Sequence, residues 1–205
     1  MIGRRAFLGL AGAFGLTAAT AGTLAPTPAL ALAEDEARAV VQAAVDEVLA
    51  LVKREATAEE KAAALQAIME RSAALPQIAR FAAGRVWREM SDDQQGRYVA
   101  AFSAYIARIY ARRFQEYSGE TVSLARAIDA GKKGILVQSA VSQPGGGQPI
   151  PVDWLVSDRG GDGARIVDIV IEGVSMATTQ REEIGAMFDS RGGDVEKLIE
   201  ALGTA

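Results

Sequence analysis

The 205-residue chain contains neither cysteine nor histidine. Without cysteine there is no disulfide framework, no thiol nucleophile and no lipid-modified N-terminal cysteine. Without histidine the commonest general base and the commonest metal ligand are missing, which removes most familiar hydrolase and zinc chemistries. Aromatic residues make up only 6% of the chain, so wherever they gather they carry information. Past the first 33 residues every apolar run is interrupted by charge before it is long enough to cross a bilayer.

The start of the chain differs from the rest. Arg4 and Arg5 are followed by an apolar run to about Ala25, and ALALA, from Ala29 to Ala33, places small residues at A-x-A spacing. A positive start, an apolar middle and a small-residue site are the parts of a secretory signal. The RRAFL string resembles a twin-arginine export signal. Residues 1–33 are therefore expected to be a signal peptide cleaved near Ala33, with a cut after Ala31 as an alternative, and residues 34–205 to form a single soluble domain. An uncleaved anchor fits less well, because the run is rich in Gly, Ala and Thr.

Two of the 22 basic residues lie in that signal, leaving 20 against 26 acids, a net of −6. Between residues 71 and 117 the balance reverses: eight arginines face Glu89, Asp92, Asp93 and Glu116. Such a patch suits phosphate headgroups or an acidic partner, or it forms ordinary solvated helix faces. Nucleic acid is not expected as a partner of an exported, net acidic chain.

Periodicity organises the remainder. Val41, Val45, Val48 and Val52 form one helical stripe. Thr57 and Glu60 stand at capping-box spacing before a second helix, as do Ser91 and Gln94 before a long one and Thr179 and Glu182 before a later one. Pro76 restarts the chain between the first two boxes, and Gly84 breaks the segment QIARFAAGRVWREM. After Gly119 the period becomes strand-like in four runs, TVSLARAI, GILVQSAV, IPVDWLVS and ARIVDIVIEGV. Their connections, DAGKK, SQPGGGQP and DRGGDG, are too short for crossover helices, so neighbouring strands are antiparallel. Gly192 and Gly193 end the later helix, and Asp194 caps the last, DVEKLIEAL. The expected fold is α+β: a four-stranded antiparallel sheet with helices covering one face.

Catalytic motifs are sparse. GVSMA, from Gly173 to Ala177, misses a nucleophile elbow at its last position, and no histidine exists to activate Ser175. DRGGDG is too short for a calcium loop and reads as a hairpin turn. The glycines 145–147 lack the lysine and helix of a phosphate loop. Asp153 and Asp168 each interrupt an apolar strand, and a carboxylate against apolar walls can serve as a base. They lie equally well on the outer face of the sheet or beside an arginine.

The apolar features are stronger. On the long helix Tyr98, Phe102, Tyr105 and Ile109 form one stripe, and Ile106, Tyr110, Phe114 and Tyr117 a second beside it. This is a wider face than a surface helix needs. In the third run Val152, Trp154 and Val156 share a face. In the fourth, alternation puts Val167, Ile169 and Ile171 on one face, Ile166 and Val170 on the other. A solid core and a cavity both satisfy these patterns.

The order of residues adds what periodicity cannot. GRVWREMSDDQQGRYVAAFSAYIARIYARRFQEY, from Gly84 to Tyr117, resembles the MlaC family, the toluene-tolerance group of periplasmic phospholipid-binding proteins. The resemblance continues through PVDW, from Pro151 to Trp154, and VDIVIEGVSM, from Val167 to Met176, and ends in Arg181 and RGGDVEKLIEAL. It spans roughly Leu75 to Leu202. It departs at Ala164, where members often carry Trp, and near Thr179 and Gln180, where an aromatic is common.

The resemblance implies a periplasmic carrier with no catalytic residues and no cofactor, holding phospholipid as cargo in an apolar cavity between a curved sheet and its helices. It implies shuttling between an inner-membrane ABC transporter and an outer-membrane lipoprotein complex, which maintains outer-membrane lipid asymmetry, by a chain acting as a monomer. Combined with the helix and strand faces, it makes Phe81, Trp87, Phe102, Tyr105, Ile106, Ile109, Tyr110, Phe114, Trp154, Ile169 and Met176 the candidate lipid-contacting residues. A hopanoid carrier, or an enzyme using Asp153 or Asp168 as base in a similar cup, are the competing readings.

Overall fold

The computed structural model describes residues 32–114, 117 and 119–204, so nearly all of the expected signal lies outside the described residues. Helix α1 (Glu34–Lys53) opens with Glu34, Asp35 and Glu36 in its first turn and closes with Lys53 in its last, which complements its dipole. Its stripe splits between two tasks. Ala37, Val41, Ala44 and Val45 pack on the sheet, and Leu51 packs on the next helix.

Helix α2 (Ala58–Ser72) begins with the expected capping box. The amide of Glu60 donates to Thr57 Oγ1 at 3.2 Å, and that of Thr57 to Glu60 Oε2 at 2.9 Å. Helix α3 (Leu75–Ala83), with Pro76 in its first turn, stops at Gly84, whose φ of 57° a side chain rarely adopts. A 3-10 turn at Val86–Arg88 leads into helix α4 (Asp92–Arg113), capped reciprocally by Ser91 and Gln94.

The sheet is an antiparallel meander in the order β1-β2-β3-β4-β5: β1 (Thr121–Asp129), β2 (Ile135–Ser142), β3 (Ile150–Ser157), β4 (Arg165–Ile171) and β5 (Val174–Ser175). It has five strands, not the expected four. The run ARIVDIVIEGV turns back at Glu172 and Gly173, with φ of 50° and 83°, and Val174 pairs with Ile171. Positive φ at both central residues marks the tight hairpin turn whose twist suits the flanking strands.

Simple alternation also fails within β4. Leu155 pairs with Asp168 but Val156 pairs with Ile166, so the strand carries an extra residue. The bulge puts Ile166 with Ile169 on the side facing α1, and it moves Val167 away from Ile169.

Helix α5 (Met176–Asp189) starts earlier than its sequence suggests. Ser175, not Thr179, is the N-cap, and its hydroxyl accepts from the amide of Thr178 at 3.1 Å. The positive φ of Gly192 and Gly193 follows its end, and Asp194 caps helix α6 (Val195–Thr204) through the amide of Lys197.

Three apolar clusters result. One joins α3, α4, α5 and α6 around Tyr98, Phe102, Ile184, Leu198 and Leu202, all fully enclosed. A second joins α1 to one face of the sheet around Val41, Val137 and Val156. A third joins α1 and α2 to Ala111 of α4. The Arg97 guanidinium fastens α4 to α6, donating to both carboxylate oxygens of Glu196 at 2.7 Å and to Asp93 at 2.8 Å. Hydrogen bonds from Arg97 and Gln94 lower the Glu196 carboxyl to about 2.

Two consequences are measurable. Gly134 has φ of 114°, and a Cβ there would sit 2.0 Å from the carbonyl oxygen of Val156, whereas Gly146, also at positive φ, faces open space. Gly146→Ala should cost about 1 kcal/mol, the price of the backbone conformation alone. Gly134→Ala should lower the urea midpoint several times further. The Tyr98 hydroxyl is buried with no hydrogen-bond partner among the described residues. Tyr98→Phe should therefore leave stability unchanged or raise it by about 1 kcal/mol, read from the same denaturation curves.

Candidate functional site

The eleven candidate residues divide by where the clusters put them. Phe102, Tyr105 and Ile106 are buried in the helical cluster, with Trp87, Ile109 and Tyr110 packed against it half-buried. Trp87 meets the Tyr98 ring edge-on at a centroid distance of 6.3 Å. Tyr110 and Phe114 also border the α1–α2–α4 cluster. Trp154 and Ile169 border the sheet cluster as a cross-strand pair. Trp154 is anchored by its indole N–H, which donates to Ser139 Oγ at 2.9 Å, and that hydroxyl donates to the Val152 carbonyl at 2.7 Å. Met176 is the first residue of α5, half-buried. Phe81 stands apart, 42% exposed.

Met69 and Tyr110 belong to both helical clusters, but no residue of the sheet cluster belongs to either. Helix α4 packs on α2, α3 and α6 rather than spreading across the sheet. The apolar face of α4 and the α1-facing side of β3 and β4 therefore belong to separate clusters. Ile109, Tyr110 and Phe114 at the C-terminal end of α4, and Trp154 and Ile169 of the sheet, are half-buried. Burial pushes the Tyr110 hydroxyl up; Arg113 opposes this, and the charges of Glu183 and Asp168 reinforce it.

Asp168 holds the junction between sheet and helices. Its Oδ2 accepts from Ser175 Oγ at 2.6 Å, and its Oδ1 accepts from the amides of Ala177 at 2.9 Å and Ile169 at 2.8 Å. A carboxylate so engaged closes the β4–β5 hairpin and caps the first turn of α5. Asp153 lies between Gln138 and Val170 on the sheet face opposite α1. Asp168 is thus explained by structure, and among the described residues no group of acidic side chains could hold a metal ion.

On that opposite face lies a concavity of about 630 Å³, within the usual range of small-molecule sites. Ile78 and Phe81 of α3, Leu136, Leu155 and Val170 of the sheet, and Ala177 of α5 line it. Of the eleven candidates it contains only Phe81. Sequence reasoning missed its floor because the bulge in β4, invisible to alternation, delivers Val167 to this side.

The arginine-rich segment is largely consumed by the fold. Arg71 pairs with Glu47, Arg85 with Asp189 at 2.8 Å, and Arg97 with Asp93 and Glu196. Arg108 donates to the Leu202 carbonyl. Arg80 and Arg113 lie over the rings of Trp87 and Tyr110, at 5.9 and 5.5 Å.

Among solved structures, the chain is similar to a phospholipid-binding protein from Ralstonia solanacearum, determined in complex with a phospholipid. The two share 26% identity and superpose with a TM-score of 0.68, over 81% of this chain and 94% of that one. The family model described as MlaC protein matches residues 42–204, from within α1 to the last turn of α6. The chain thus belongs to the MlaC family.

Proposed function

We propose that this protein is a phospholipid carrier, loaded in a seam that opens between Ile109, Tyr110 and Phe114 of α4 and Trp154 and Ile169 of the sheet. The carrying observation is the similarity to the phospholipid-bound Ralstonia protein along nearly all of that protein's length. Two features of the chain agree with it. The apolar side chains bordering the seam are half-buried rather than sealed into one core. The carboxylate best placed to act as a base, Asp168, is occupied in holding backbone and hydroxyl groups, which favours carriage over catalysis.

The energetics define what such a carrier must do. Each buried methylene is worth about 0.8 kcal/mol, so two tails of roughly sixteen carbons have a gross transfer term of about 25 kcal/mol. Free lipid cannot cross water at a useful rate against such a term. The carrier only has to resemble the bilayer interior, and its net grip must be far smaller than the gross term or release becomes too slow. Ile109, Tyr110, Phe114, Trp154 and Ile169 supply that environment in this reading. Phe102, Tyr105 and Ile106 form the wall behind them, and Trp87 and Met176 lie at its margins. Such a site selects by tail volume more than by headgroup.

Export through the N-terminal signal places the carrier in the periplasm. There it moves lipid between an inner-membrane transporter of the Mla type and an outer-membrane lipoprotein complex, maintaining outer-membrane lipid asymmetry. The chain acts as a monomer and needs no cofactor.

Purification of the exported protein from its native compartment, followed by solvent extraction and mass spectrometry, should recover about one equivalent of phospholipid. A hopanoid in its place would redirect the assignment to that lipid class, and a lipid-free protein would refute the carrier reading. Ile109→Glu and Ile169→Glu each place a charge in the seam from opposite sides. Both variants should remain folded by circular dichroism and lose at least tenfold in recovered lipid; unchanged loading would show that the seam is not the site.

A further inference from the structure

The concavity on the sheet face opposite α1 is separate from the seam and has its own chemistry. Its floor is apolar, and its edge carries Phe81, one of three large apolar side chains strongly exposed among the described residues. A second, Ile128 of β1, pairs with Leu136 and extends the same apolar face outward. An apolar face left open in this way marks an interaction surface.

Cations stand beside Phe81 and across the opening. The Arg181 guanidinium lies 5.1 Å from the centre of the Phe81 ring, and it packs against Gly84, where a Cβ would approach its Nε to 3.2 Å. Arg80 precedes Phe81 on α3 and is exposed, and Lys133 lines the other side of the opening, exposed as well. None of the three takes part in a carboxylate ion pair among the described residues. Most other arginines of the basic segment are committed to partners within the fold. The acid that lines the concavity, Asp168, has its oxygens engaged by Ser175 and two backbone amides.

We propose that this face docks the protein onto an anionic bilayer surface, with Phe81 entering the interface and Arg80, Arg181 and Lys133 meeting lipid phosphates. The complementarity is specific to that occupant. The bilayer presents negative charge outside and hydrocarbon immediately beneath, and the face presents cations around an apolar hollow. An aromatic ring stacked under a guanidinium suits the boundary between the two. The remainder of the exported chain is net acidic, which repels an anionic membrane and leaves this face as the favourable approach. One aromatic and three cations make a weak, reversible contact, as a carrier that must leave the membrane requires.

The test is vesicle flotation with the exported chain from Glu34, which contains every element described. The vesicles are phosphatidylcholine alone or an equal mixture with phosphatidylglycerol, at about 50 mM and about 500 mM salt. Binding should appear with the anionic vesicles at low salt and fall at least fivefold at high salt. Phe81→Ser, and separately the pair Arg80→Gln with Lys133→Gln, should each reduce it at least fivefold, while Val174→Ser, exposed on β5 outside the concavity, leaves it intact. Absence of binding to anionic vesicles overturns the proposal, even if an acidic protein is captured instead. So does binding that the Phe81 and paired charge variants leave unchanged. Thermal melts of the same variants verify folding. Lipid extracted from the same preparations separates the two readings: a loaded protein that ignores vesicles remains a carrier without this docking face.

Discussion

The carboxylate of Asp168 ties together the two halves of the molecule. It sits beside the bulge in β4 and reaches across seven residues to the hydroxyl of Ser175 and the amide of Ala177. With those bonds made, the β4–β5 hairpin closes and α5 starts at Met176, beside the strand that precedes it. Helix α5 in turn packs on α3, and Ile184 and Phe188 enter the helical cluster. The amide of Ala74, just before α3, donates to the Ile166 carbonyl of β4 at 2.9 Å, so backbone and carboxylate bonds together set how α3 and α5 meet the sheet. Helix α1 adds an apolar link, packing on both the sheet and the α2–α4 cluster. The sheet cluster and the α3–α6 cluster nonetheless share no residue.

That separation gives the fold its surplus of half-buried apolar groups. A chain of this length can bury its large side chains in one continuous core. Here Tyr98, Phe102, Leu198 and Leu202 are enclosed among helices, and Val137 and Val156 under α1. Ile109, Tyr110, Phe114, Trp154 and Ile169 border these clusters without being sealed by them. Both α4 stripes follow this arrangement: the first is core as far as Tyr105 and border at Ile109, and the second turns from core at Ile106 to border at Tyr110 and Phe114. Holding a lipid tail requires such borders, because a surface already satisfied by its own protein has nothing to gain from hydrocarbon.

Much of the fold was legible in the sequence wherever the determinant was local. The capping boxes at Thr57 and Ser91, the break at Gly84, the meander and the cap at Asp194 all rest on residues a few positions apart, and each is found where expected. The misreadings share a different cause. Ser175 and Thr179 both offer a plausible helix start, and what selects Ser175 is its bond to Asp168. The bulge in β4 depends on pairing with β3, and one extra residue reverses the side of everything beyond it. Only the Glu172–Gly173 turn carried a local signal that was passed over, in the form of an acidic residue before glycine. For the candidate site, residue type marked apolar positions, but the division between buried core, half-buried border and open face is set by packing between elements distant in sequence.

The fate of the arginines follows the same logic. Eight of them between residues 71 and 117 suggest a broad basic surface, yet a guanidinium near a carboxylate or an aromatic ring is drawn into an intramolecular contact before it can serve an external one. Arg97 illustrates this, its planar fork matched to both oxygens of Glu196 across two helices. Among the cations outside the carboxylate ion pairs, Arg80, Arg113 and Arg181 rest on aromatic rings, and Lys133 projects from the turn before β2. Stacking fixes a guanidinium in place without neutralising it, so these cations keep their full charge while losing little further freedom when they meet an anion. A count of basic residues overstates the recognition surface. The positions where charge is held by an aromatic ring rather than by a carboxylate define it more narrowly, and here one of them, Arg181 over Phe81, falls at the edge of the open apolar face.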